Sequence, residues 1–145
     1  GDSHWWVRAF AAGALAPMGA EAAEAVPAMT AALGDDHWWV RRNAAEALGT
    51  AGLYGGGLVR EMGRLLGDGD YRVRRNAALT LAKIGPEAEA AVPAILPLLG
   101  DENRYNRFYG GLALRRIGTA RAGEALLDSL FESRWCPLTS TDDMY

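Results

Sequence analysis

The chain has 145 residues, 50% of them hydrophobic, with 15 basic against 18 acidic side chains and a formal charge of −3, a size and apolar content suited to one domain with its own core. The acidic balance argues against a nucleic-acid partner, and with no apolar run long enough to span a bilayer and no signal-like start in residues 1–20, no membrane partner is expected. Lone Cys136 cannot form an internal disulfide, which fits a reducing compartment and makes a cytoplasmic location the expectation over a secreted one.

From the start of the chain, "DSHWWVRAFAAG" (2–13) is nearly repeated as "DDHWWVRRNAAEALG" (35–49), a period of 33 residues. That shift superposes Asp2, Asp35, Asp68 and Asp101, then Val7, Val40 and Val73, then Arg8, Arg41, Arg74 and Arg107. Repetition at this length marks stacked units, none of which can bury its apolar face alone. The units run 1–34, 35–67, 68–100 and 101–133, with 134–145 as a non-repeat tail. Within a unit, Val40, Ala44, Ala47 and Leu48 form one stripe of a 3.6-residue period and predict a first helix. Gly52 and Gly85 then stand where a helix ends in a left-handed turn. Val92, Ile95 and Leu99 predict a second helix, ended by Gly100. The repeated aspartates fall just before each first helix, where a carboxylate accepts orphan N–H bonds and opposes the helix dipole. No window alternates as a strand does. The predicted fold is all-α, an α-solenoid of about four stacked two-helix repeats.

The run "VRRNAAEALG", a glycine turn and then "AVPAILPLLGD" resembles the short HEAT-like repeats first grouped with phycobilisome lyases, over nearly all of the chain before its tail. The resemblance implies second helices that line a concave face. It implies no single activity, because that family spans scaffolds, adaptors, bilin lyases and a metal-dependent hydroxylase. The hydroxylases bind two irons through repeated His-Glu pairs. Here His4 and His37 are each followed by Trp, and Asp70 and Asn103 take their place in units three and four. Equivalent residues of adjacent units also stand about 10 Å apart, whereas ligands of one ion reach within about 2.6 Å of it. Neither a metal nor any other cofactor is expected. Cys136 has no His near it in sequence, and "YGGGL" (54–58) lacks the Lys and Ser/Thr of a phosphate loop. No catalytic residue is expected.

The repeated arginines are expected to fork onto the repeated aspartates and fix the stacking. On the second helices, with Val26, Met29 and Leu33 taken as buried, the outward positions are Pro27, Ala28, Thr30 and Ala31, then Arg60, Glu61, Gly63 and Arg64, then Pro93, Ala94, Leu96 and Pro97, then Leu126, Leu127, Ser129 and Leu130. Charge enters only in unit two, where Arg60 and Arg64 form a spot for one acidic side chain. Elsewhere the face is small and apolar, and Ala94, Leu96 and Pro97 are expected to meet a protein or peptide partner. On the first helices Trp39, Asn43 and Glu46 lie off the core stripe and are taken as an outer face. Their counterparts turn aromatic at both ends, as Trp6 and Phe10 in unit one and Tyr105 and Tyr109 in unit four. Trp6, Trp39 and Tyr105 are therefore contact candidates, while Trp5 and Trp38 are expected to pack between units. Aromatic ends also suggest a piece of a longer chain, or faces covered by another domain, and Trp135 and Pro137 of the tail are candidates to fold over unit four. The expected function is a non-catalytic interaction scaffold or adaptor; the alternative is an accessory or lyase-type domain holding an aromatic or bilin-like ligand on its tryptophans. Oligomeric state is left open by the residues.

Overall fold

In a computed structural model the described residues are 4–52 and 56–134. The first helices are α1 (Trp5–Leu15), α3 (Trp38–Ala51), α5 (Tyr71–Ile84) and α7 (Arg104–Ile117), and they pack side by side in chain order. Against them lie α2 (Val26–Ala32), α4 (Gly56–Leu65), α6 (Val92–Ile95) and α8 (Ala120–Arg134). No strand occurs among the described residues, and the all-α stack of two-helix units stands as predicted.

The second helices differ in continuity. Units two and four have unbroken helices, whereas Ala16–Ala25 winds as 3₁₀ turns before α2, and α6 sits between 3₁₀ segments Gly85–Ala91 and Leu96–Gly100. Proline explains the difference: Pro17, Pro27, Pro86, Pro93 and Pro97 each stand in the first turn of such a segment, where a missing N–H is tolerated but a longer α-helix through it is not. The tighter winding also turns the register. Val92 and Ile95 are buried as expected, but Leu98 takes the inner place expected for Leu99, which is only half-buried. Three glycines end first helices in positive φ, Gly52 at 68°, Gly85 at 73° and Gly118 at 64°, a region other residues enter at a cost.

Where each first helix begins, the sequence-based assignment needs a correction. The N-caps are His37, Asp70 and Asn103, which accept from the backbone N–H of Trp39, Arg72 and Tyr105. Asp35, Asp68 and Asp101 stand two residues earlier and accept from the N–H groups of the capping residues at 2.8–2.9 Å. The junction is thus a double turn in which one side chain caps the loop and the next caps the helix. The series His, Asp, Asn is a series of acceptors, and the histidine in it is there for the helix end.

A second correction concerns the supposed outer face. Asn43 donates to the Ala9 carbonyl at 2.8 Å, and Asn76 donates to the Arg42 carbonyl at 3.5 Å and to Glu46 at 3.3 Å. Asn43 and Asn76 thus join successive first helices instead of facing solvent, while Glu46 is exposed as expected. A helix in a stack has two lateral neighbours as well as its own partner, and a single apolar stripe does not reveal them. Another such contact joins α3 and α5: buried Thr80 donates to the Ala45 carbonyl at 3.0 Å, directly over Gly49.

Candidate interaction surfaces

The arginine series forms the ladder that the sequence implied. Arg8, Arg41 and Arg74 each fork onto the aspartate 27 residues later, Asp35, Asp68 and Asp101, through Nε at 2.7–2.8 Å and Nη2 at 2.8–3.2 Å. Arg41 and Arg74 also spend Nη1 on two backbone carbonyls of their own junction, those of Asp35 and Asp36 or of Asp68 and Gly69. Each guanidinium therefore ties three segments together. The bond from Arg8 holds the Asp35 carboxyl below the usual aspartate range. Burial raises Asp68 and Asp101, but the bonds from Arg41 and Arg74 and from the following N–H groups outweigh it and hold both low. The bond to Asp68 in turn raises Arg41. With Nε, Nη1 and Nη2 of Arg41 and Arg74 all engaged within the fold, these rungs are structural.

The tryptophans form a second row along the entrances of the first helices. Trp5 stacks on His37 with centroids 4.0 Å apart, and Arg72 lies 3.9 Å over the Trp38 ring. Both therefore pack between units as expected. Trp39 is half-buried among Trp5, Phe10 and Trp38, with centroids 5.6, 6.0 and 6.1 Å away, so packing does use its indole. At the two ends Trp6, Phe10, Tyr105 and Phe108 are 49, 63, 47 and 64% exposed. Arg104 donates to the Tyr105 hydroxyl at 3.0 Å, and that bond lowers the phenol's pKa. His37 accepts the Trp39 N–H through Nδ1 at 3.3 Å. No group of three or more His, Cys, Asp or Glu side chains among the described residues is placed to hold a metal ion, and Cys136 lies outside those residues.

On the second-helix side, every outward position named above whose side chain is described is exposed or half-exposed. Two open grooves run between consecutive second helices. One, of about 460 Å³, is lined by Val59, Arg60, Gly63, Ala90, Ala91 and Ala94, with Glu87 at its side. The other, of about 520 Å³, lies between Leu96, Pro97, Leu99 and Gly100 on one wall and Ala125, Asp128 and Ser129 on the other. Glu61 stands between the two arginines of unit two, 3.1 Å from Arg64 and 4.0 Å from Arg60, and Arg64 also donates to the Leu33 carbonyl at 3.0 Å. The spot is thus partly neutralised within the fold, and Arg60, whose side chain is 81% exposed against 54% for Arg64, is the freer of its two cations. Sequence reasoning missed Leu99 and Ala90 as lining residues. Their orientation depends on the 3₁₀ winding, and the signal for it was the proline spacing 86, 93, 97.

A model of the family described as HEAT repeats matches residues 1–55 and 59–135. The chain belongs to the HEAT-repeat family. The match accounts for the repeat period, the helix pairs and the stacking of first helices upon one another. Against the curated proteins nothing matches. Among the described HEAT helices none is long and apolar enough to cross a membrane.

Proposed function

We propose that this HEAT chain is a non-catalytic interaction module that docks a protein or peptide segment across its second-helix face. The observation that carries the reading is the pair of adjacent grooves, walled by Ala94, Leu96 and Pro97 and open to solvent, on helices whose inner faces already complete the core. Leu96 and Leu127 are 41 and 56% exposed there, and neither exposure serves the fold. An exposed apolar strip beside one solvent-facing cation suits an amphipathic segment that carries apolar anchors and one acidic group. Phosphate-rich partners fit poorly, since Glu87 and Asp128 set carboxylates beside the grooves and the groove cation is Arg60. The test is photo-cross-linking from position 96 or 97, with position 46 on the opposite side as control. Capture of one defined protein segment from 96 and 97 but not from 46 supports the reading; capture from 46 alone sinks it.

A further inference from the structure

The second-helix face is a side of the stack, not one of its ends, and its charge changes sign along it. In unit two Arg60 and Arg64 have side chains 81 and 54% exposed. Besides this expected cationic spot, unit four exposes Glu124 and Asp128, and Asp128 lines the second groove. Between them the middle of unit three, residues 90–97, carries no charge, and Ala90, Pro93, Leu96 and Pro97 are exposed there. The 33-residue period also sets how far along its helix each charged group stands. Arg60 and Arg64 occupy in unit two the register positions that Pro93 and Pro97 hold in unit three. Asp128 and Glu124 occupy in unit four the positions of Ile95 and Ala91. Pro93 and Ile95 are equidistant from Ala94 along the chain, and so are Pro97 and Ala91. Both pairs of opposite charges are therefore centred on the same residue.

We infer that the protein docked on this face is a second copy of the chain, related to the first by a two-fold axis that passes beside Ala94 at right angles to the face. The inference rests on the docking reading above and names its partner. Rotation about such an axis reverses both the order of the units and the direction of the helices. Arg60 of one copy then stands over Asp128 of the other, and Arg64 over Glu124, with the same two pairs repeated across the axis. Arg64 can keep its bonds to Glu61 and to the Leu33 carbonyl, so Arg60 and Asp128 are the principal pair. Unit three meets unit three, and Leu96 and Pro97 lie against the uncharged stretch 90–94 of the other copy. With units about 10 Å apart, the two sets of ion pairs flank this apolar centre at a separation of about 20 Å, an apolar core within a charged rim. A face positive at one end, negative at the other and apolar between is complementary to itself after a half-turn, which is what an isologous interface requires. A purely acidic or purely basic peptide matches only one of its ends.

The test is sedimentation equilibrium of the full 145-residue chain under reducing conditions, from about 1 µM to about 1 mM. A reversible monomer–dimer equilibrium is expected. Arg60→Asp and Asp128→Arg, both at exposed positions and checked for folding by circular dichroism, should each weaken the dimer about tenfold or more, because each change acts at two symmetry-related sites. Mixing the two variants in equal amounts should restore dimerisation. In the mixed dimer the introduced acid of one copy faces the introduced base of the other, and the native pair survives at the second site. A chain that stays monomeric throughout would overturn the second copy as occupant. So would a dimer that neither variant weakens, or weakening without rescue in the mixture. The docking reading fails separately, by cross-linking from positions 96 and 97: capture of a different protein there by a monomeric chain removes the second copy and keeps the docking face.

Discussion

At the residue scale, the stacking depends most on the Arg–Asp rungs, and their burial ranks them. The Arg41 and Asp68 side chains are 17 and 8% exposed, against 30 and 12% for Arg8 and Asp35. Asp68→Ala leaves a mostly buried guanidinium without its carboxylate and uncaps the loop, and should cost about 2–3 kcal/mol of unfolding free energy. Asp35→Ala should cost about 1 kcal/mol; urea melts of both variants check the order. All three rung aspartates titrate below their unfolded values. Their contribution is therefore complete above the unfolded aspartate pKa of about 3.9 and is lost as pH falls through and below it. Melts between pH 6 and 2.5 should show a steep loss of stability below about pH 4, shallower in Asp68→Asn. The repeated Arg and Asp were legible from the sequence because charge at a fixed period has few other uses. Asn106 was not. It replaces the valine of units one to three and is fully buried, with neither its Nδ2 nor its Oδ1 at hydrogen-bond geometry to a partner. Asn106→Val should stabilise the chain by about 1–2 kcal/mol, read as a higher midpoint at unchanged slope.

At the element scale, close approach of α3 and α5 rests on Gly49. A Cβ there would stand 2.5 Å from Thr80 Oγ1 and 3.1 Å from its Cγ2, and the β-branched Thr80 is held in place by its bond to Ala45. Gly49→Ala should therefore destabilise by about 1–2 kcal/mol despite the better helix propensity of alanine. In a Thr80→Ala background the same change should be near neutral, and a double-mutant cycle measures the difference. Helix existence and the glycine stops were readable from spacing alone. The lateral face was not, since Asn43 and Glu46 look like solvent positions on an isolated helix pair and become inter-helix bonds only when units stack. The 3₁₀ segments followed from prolines that the sequence displayed, but their effect on register, Leu98 inward and Leu99 toward the groove, needed coordinates.

At the scale of the whole molecule, the two sides of the stack have different work. Between units the first-helix side is occupied by rungs, carboxamide bonds and stacked rings, and its end aromatics Trp6, Phe10, Tyr105 and Phe108 stay exposed. The second-helix side leaves apolar side chains in solvent that the core does not need, as the outward positions 94, 96 and 97 suggested from sequence. What the sequence could not convey was that Arg64 is engaged at home, which leaves Arg60 the more exposed cation of the pair. The most direct measurement is a calorimetric titration of the cross-linked partner segment, once purified, against wild type, Leu96→Glu and Glu46→Lys. The account predicts at least about tenfold weaker binding for Leu96→Glu, since an apolar anchor in a groove is commonly worth more than 1.4 kcal/mol, and unchanged binding for Glu46→Lys. Equal affinity of wild type and Leu96→Glu, with both folded by circular dichroism, would contradict it.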